Sequence, residues 1–285
     1  MIELDNAVEI KGLNKSFGSF ELRDVSFDIP RGYVVGLIGE NGAGKTTLIK
    51  CLTGANLPDS GEIRINGEER PAMPGEIGVV FDECHFFQQM SGRQIGRTMS
   101  GLFPKWDQES YERMMSSFGI DLDKKLKDYS RGMRMKVQVA VALSHSPDIV
   151  LMDEATAGMD PAARDEFLDI VMEYMQDESH SVLMSSHITT DLERIADYIV
   201  FIHKGKVVFN DSKDSILENY GIVKGSASQV LAIGEENIVS TRKDDYGMSV
   251  LVSDRNGIRE AYPELVVDPA SLDDIMVMVI RGESS

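Results

Sequence analysis

The stretch Gly39-Glu40-Asn41-Gly42-Ala43-Gly44-Lys45-Thr46 constrains this chain more than any other. It follows a compact apolar run, Val34-Val35-Gly36-Leu37-Ile38, of the kind a strand buried on both faces requires. A helix is predicted directly after it, over Thr46–Leu52. Strand, glycine-rich loop and helix in that order make a phosphate cradle. The glycines let the backbone curl until successive N–H groups point inward at phosphate oxygens. The helix adds the positive end of its dipole. Lys45 supplies a point charge to β- and γ-phosphates, and the Thr46 hydroxyl is a ligand for Mg²⁺. The candidate contacts are therefore Gly39, Asn41, Gly42, Ala43, Gly44, Lys45, Thr46 and Thr47.

A second apolar run, Ile149-Val150-Leu151-Met152, ends in two carboxylates, Asp153 and Glu154. Ligands of open α/β sheets sit at the carboxyl ends of the strands. Asp153 is thus placed to hold Mg²⁺ through water, and Glu154 to polarise an attacking water as general base. Phosphoryl transfer needs chiefly positioning and charge compensation, which these groups supply. His187 follows a third predicted strand, Val182–Ser185, and is placed to reach the γ-phosphate and that water.

The remaining chain reads as further strands at Ala7–Ile10, Phe20–Phe27, Tyr33–Ile38, Glu62–Ile65 and Ile77–Phe81, then a helical stretch from about 87 to 146. Tyr111, Met114, Met115 and Phe118 make one apolar helix face, and Met133, Val137, Ala140 and Val141 another. Both stripes are read as core. A helix follows over Ala162–Gln176, and Thr190-Asp191-Leu192-Glu193 reads as a capping box opening the next. Val200–Ile202 and Lys206–Asn210 form a hairpin around Lys204-Gly205. Past residue 214 the predicted strands are Val230–Ile233, Ile238–Thr241 and Ser249–Val252, with helices at Ile258–Tyr262 and Ser271–Ile280. Residues 1–214 are one expected domain, with 215–285 a small α/β appendage carrying no catalytic motif.

Composition narrows the partners. Of 285 residues, 29 are basic and 47 acidic, a net charge of −18, and nucleic acid requires a basic face. Two cysteines, Cys51 and Cys84, make no disulfide framework, which points to a reducing compartment. No apolar run approaches the roughly 20 residues of a bilayer span, and Met1–Asp5 has no signal-peptide character. A membrane role therefore calls for a second chain.

Tyr129-Ser130-Arg131-Gly132-Met133, lying before a predicted helix and ahead of Asp153-Glu154, completes a set that resembles the ATP-binding-cassette (ABC) ATPases. It is similar to their signature motif, usually Leu-Ser-Gly-Gly-Gln. The resemblance covers about residues 7–220. It implies a P-loop α/β core with an antiparallel β subdomain and a helical insert at about 87–146. It also implies ATP and Mg²⁺ as ligands, ATP hydrolysis, and a head-to-tail dimer with two ATP molecules between the chains. Ser130 and Gly132 would then seat the γ-phosphate held by the other subunit, identical or different. Phe17 stands where the family stacks an aromatic on adenine. Ala157-Gly158-Met159-Asp160 resembles the loop that crosses the dimer interface, and His187 matches the switch histidine.

Three positions in two motifs depart from the family pattern. Arg131 and Met133 replace glycine and glutamine of the signature; Arg131 either strengthens phosphate binding or points to solvent. Asp82, followed by Glu83, replaces the glutamine expected after Ile77–Phe81, and an acid there is a further candidate Mg²⁺ ligand. Phe81-Asp82-Glu83-Cys84, Trp106-Asp107, Ser185-Ser186-His187-Ile188 and the tail Ser271–Met276 are similar to a bacterial export-type branch linked to antimicrobial-peptide and bacitracin resistance. The resemblance implies an ATPase on the cytoplasmic face of the membrane, driving a separate membrane-spanning subunit. The alternative is a soluble assembly or regulatory ATPase with no membrane partner. A dock for the membrane subunit is expected near residues 82–106, with Phe86, Phe87 and Trp106 as candidate lining. About 85 residues separate Lys45 from Ser130 without heptads or cysteine clusters, unlike the DNA-repair and chromosome-organising relatives. The appendage is expected to make a dimer contact or to regulate.

Overall fold

Three runs of consecutive buried residues decide the architecture: Val34–Ile38, Ile149–Asp153 and Ser181–Ser186 are buried at every position. Strands buried on both faces belong in the middle of a parallel sheet with helices on either side. The computed structural model, which describes residues 5–69, 75–230, 233–234, 237–244 and 247–284, has that arrangement.

In chain order the first part of the molecule comprises β1 (Asn6–Phe17), β2 (Phe20–Pro30), β3 (Val34–Ile38), α1 (Lys45–Leu52), β4 (Ser60–Ile65) and β5 (Ile77–Val80). There follow α2 (Gly92–Ser100), α3 (Gln108–Ser117), α4 (Arg131–Leu143), β6 (Ile149–Asp153), α5 (Pro161–Tyr174), β7 (Ser181–Ser186), α6 (Thr189–Ile195), β8 (Tyr198–His203) and β9 (Lys206–Ser212). The six-stranded sheet has the order β5-β6-β7-β3-β8-β9. Its pairs β5–β6, β6–β7 and β3–β7 are all parallel. A separate three-stranded sheet, β2-β1-β4, is antiparallel throughout. The α/β core, the antiparallel subdomain and the helical insert are thus all present.

The insert is built by its caps and its apolar stripes. Ser91 and Gln94 form a reciprocal capping box on α2, Asp107 caps α3, and Ser130 caps α4. Tyr111, Met115, Val137, Ala140 and Val141 bury together with Ile95, Ile120, Leu126 and Tyr129. Met114, Phe118 and Met133 pack against them from the edge. The Tyr111 hydroxyl donates to the Gly92 carbonyl at 2.9 Å, so this fully buried ring leaves no orphan donor.

The chain divides into two compact units: Met1–Ala196 with Val200–Phe209, and Asp197–Ile199 with Asn210–Ser285. The second contains α7 (Lys213–Asn219), β10 (Gly221–Gly225), α8 (Ala227–Val230), β11 (Ile238–Asp244), β12 (Gly247–Val252), α9 (Arg255–Ala261), β13 (Val266–Pro269), α10 (Leu272–Arg281) and β14 (Glu283–Ser284). Its five-stranded sheet, β13-β10-β12-β11-β14, is antiparallel around a core of Val223, Val250, Val252, Ile258 and Val267.

Two local expectations are corrected. The strand predicted at Val230–Ile233 is not formed at its start: Val230 closes the short helix α8, and residues 231–232 lie outside the described ones. The capping box at Thr190 is also not used. Helix α6 begins two residues earlier, at Thr189, with Ile188 as its cap and no side-chain cap bond. The Ile188 N–H is taken instead by Ser186 Oγ at 2.9 Å, which turns the chain before Thr190 is reached.

Candidate active site

The carboxyl ends of β6 and β7 stand side by side, Asp153 in register with Ser185. Ser185 Oγ donates to Asp153 Oδ1 at 2.7 Å and accepts the Glu154 N–H at 3.0 Å. Both Asp153 and Ser185 are buried. A hydroxyl at the end of an apolar strand thus orients both acids. Ser185 was missed as a functional residue by sequence reasoning, although a polar residue closing a buried strand was its signal.

Glu154 leaves β6 at φ 49°, in the left-handed region. Such a conformation costs a residue with a Cβ about 1–2 kcal/mol, and it is retained where geometry requires it. The turn gives its carboxylate two partners. Oε1 lies 2.9 Å from Lys45 Nζ, and Oε2 lies 2.6 Å from His187 Nδ1, a contact that requires the proton on that nitrogen. The His187 N–H points at the same Oε2 from 3.4 Å.

Lys45 is 5% exposed, and its ammonium also donates to the carbonyls of Gly39 at 2.6 Å and Glu40 at 3.2 Å. Gly44, at φ 117°, is the N-cap of α1; a Cβ there would fall 2.6 Å from Leu22 Cδ2 and 2.8 Å from Phe20 Cζ. Only glycine fits that turn, and it brings the loop down onto β2. The loop residues Glu40–Gly42 and Gly44–Thr47, with Phe20, Asp82, Asp153 and Glu154, line one cleft of about 490 Å³. Asn41, Gly42, Gly44, Lys45, Thr46, Thr47, Asp82, Asp153 and Glu154 are therefore gathered as expected, and His187 joins them through Glu154. Gly39 and Ala43 lie buried under the loop. The cleft accommodates an anionic ligand against Lys45 and the start of α1.

Of the other candidates, Phe17, Ser130, Gly132 and Asp160 lie apart from the cleft lining. Phe17 ends β1, 48% exposed, with Lys15 Nζ 5.4 Å from its ring centroid. Phe20, across the hairpin from it, is the aromatic that lines the cleft, and sequence reasoning had not singled it out. Ser130 is exposed, its Oγ accepting the Met133 N–H at 3.2 Å, and a Cβ on Gly132 would meet nothing within 4 Å. Asp160 caps α5, accepting the Ala163 N–H at 3.0 Å. Asp82, expected as a Mg²⁺ ligand, turns its Oδ1 to Arg131 Nη2, so its charge is already matched by a guanidinium. Arg131 thus pairs with a carboxylate while its side chain stays about half exposed. Of the aromatics expected in the dock, Phe86 lines a small apolar groove with Phe81, Met99 and Phe103. Phe87 projects outward, 80% exposed, and Trp106 packs on Tyr111.

Residues 22–157 match the family model of the ABC transporter. The lantibiotic transport ATP-binding protein SrtF of Streptococcus pyogenes is 33% identical over 73% of this chain and 91% of its own length. The ABC transporter ATP-binding protein YtrB of Bacillus subtilis is 26% identical over 97% of this chain and 99% of its own. A solved ATP-binding subunit of an ABC transporter superposes with a TM-score of 0.67, at 28% identity, over 74% of this chain and 91% of that one. Phosphate loop, paired strand-end acids and histidine occupy one site on that fold, and the chain belongs to the ATP-binding subunits of ABC transporters, which are ATPases.

Proposed function

We propose that the cleft between the Glu40–Thr47 loop and Asp153-Glu154 binds ATP and hydrolyses it with Glu154 as general base. The supporting observation is the double contact of Glu154, whose carboxylate faces Lys45 on one side and His187 on the other. An ammonium that now faces a carboxylate favours a phosphate still more, because a phosphate carries greater charge. Phosphate binding at Lys45 would release Oε1 of Glu154 while His187 keeps Oε2 oriented. A carboxylate held by one oxygen and free at the other can accept a proton from water. The donor set of the cleft fits Mg²⁺: Thr46 offers a hydroxyl, and Asp153, fixed by Ser185, offers a buried carboxylate. When bound there, the cation would offset charge on the β- and γ-phosphate oxygens.

Ser130, Gly132 and the open N-terminus of α4 support a second half-site. This thirteen-residue helix presents its first N–H groups beside Gly132, where a Cβ would meet no atom of the described residues within 4 Å. A second ABC subunit would bring its ATP there, with Asp160 and its loop at the interface. No helix among the described residues is long and apolar enough to cross a membrane. The membrane role therefore falls to a separate spanning subunit, met at the apolar groove of Phe81, Phe86 and Phe103, with this chain on the cytoplasmic face. Similarity to a lantibiotic transport protein favours export as the direction.

Lys45→Ala is expected to abolish ATP binding. Glu154→Gln is expected to bind ATP but lower turnover by about a hundredfold or more, the usual contribution of a general base. Unchanged turnover in Glu154→Gln would refute its role. Isolation from native membranes is expected to yield the chain with an integral membrane partner; recovery wholly in the soluble fraction would contradict that assignment.

A further inference from the structure

Two of the three residues that break the family's motif patterns, Asp82 and Arg131, bind each other. Asp82 follows β5 and Arg131 opens α4, and their side chains form an ion pair, about half exposed on each side. A second contact lies one face-repeat along the same helix. Gln138, seven residues after Arg131 and buried, donates Nε2 to the Phe81 carbonyl at 3.0 Å and accepts the Phe81 N–H at 3.4 Å. Helix α4 therefore holds the Phe81-Asp82 turn by its backbone and by its charge. Asp82 also lines the nucleotide cleft beside Lys45 and Asp153.

Arg131 makes a third connection. Its guanidinium lies over Gly158, where a Cβ would fall 3.0 Å from Nη1 and 3.1 Å from Cζ, at a backbone φ of +70°. One side chain thus touches the acidic turn of the cleft, the N-terminus of α4 and the turn after Glu154. A guanidinium presents a fixed fork of donors, so it sets the direction as well as the distance of what it binds.

We infer that Asp82 and Arg131 act as one coupling pair. Arg131 is a positioning residue that ties the chain's own ATP cleft to the α4 N-terminus, which seats the ATP of the second chain. This rests on the active-site reading proposed above. The two sequence departures are then a single compensated change: either residue alone leaves an unmatched charge between the two half-sites, and both together restore the match.

The test is a double-mutant cycle on ATP turnover with Asp82→Asn, Arg131→Gln, the double variant and the exchange Asp82→Arg with Arg131→Asp. Thermal melts verify folding, and a fluorescent ATP analogue reports binding. Each single variant is expected to lose about tenfold in kcat with KM for ATP and analogue affinity little changed. The double variant should be no worse than the poorer single, and the exchange should recover most of the loss. Additive losses, an exchange no better than the singles, or singles with full kcat would overturn the pair. Lys45→Ala sets the zero of the same assay. A wild-type rate at that zero would overturn the active-site reading and this inference with it; normal wild-type turnover with additive singles overturns the pair alone.

Discussion

At the scale of single residues, the site is a chain of charges held in fixed order. Ser185 fixes Asp153 and the backbone of Glu154; Glu154 joins Lys45 to His187. The strain at Glu154 is what turns its carboxylate from the strand into the cleft. Outside the cleft, His145 provides a titration that marks the fold. It is buried, stacked on Phe103 at 4.2 Å between ring centroids, with Nδ1 3.3 Å from the Gly75 carbonyl. Burial disfavours the imidazolium and lowers its pKa from the usual 6.5, against the pull of the Gly75 carbonyl. The unfolded chain therefore binds the proton more readily, and folding stability declines as pH falls below about 6.5. Denaturant melts between pH 7 and 5 should show that decline, and His145→Gln should flatten it. A wild-type slope equal to that of the variant would contradict the assignment.

At the scale of elements, capping explains how the motifs are presented. Asp160, expected at a dimer interface, is the N-cap of α5 in the single chain, and Ser130 caps α4 in the same way. Replacing Asp160 by alanine should cost about 1 kcal/mol of stability in denaturant melts, with asparagine largely restoring it. A loss below a few tenths would show that the cap is unimportant and leave Asp160 to the interface. The parallel core was legible because its strands are short apolar runs rich in Val, Ile and Leu, a pattern with few other solutions. The insert was legible because its apolar stripes have helical spacing. What was not legible has a physical reason in each case. Ser185 acts through register with Asp153; a polar residue closing a buried strand was visible in the segment, but the partner that gives it a role is set by register between distant strands. Phe20 and not Phe17 lines the cleft although the two are partners across the hairpin, and which of two paired aromatics reaches the phosphate loop is decided by the fold and not by the segment. Thr190 matched a capping pattern, but Ser186 turned the chain first. Asp82 and Arg131 stood 49 residues apart as two unrelated departures, and only the fold joins them.

At the scale of the whole molecule, the first unit carries every candidate residue, and the second is a separately cored antiparallel sheet with helices. The site within one chain is complete on the phosphate and base side. The residues proposed to seat the other subunit's ATP, Ser130 and Gly132, lie at the N-terminus of α4, Ser130 exposed and Gly132 half-buried. A nucleotide bound between two such chains closes both sites at once, which makes association and ATP binding one equilibrium. Blocking hydrolysis should then hold the closed form. The most direct measurement is the mass of Glu154→Gln in solution by analytical ultracentrifugation, with and without ATP and Mg²⁺, beside a variant also carrying Lys45→Ala. The account predicts a mass that doubles with ATP in Glu154→Gln and stays unchanged when Lys45 is also removed. A Glu154→Gln chain that binds ATP yet keeps the same mass would contradict it.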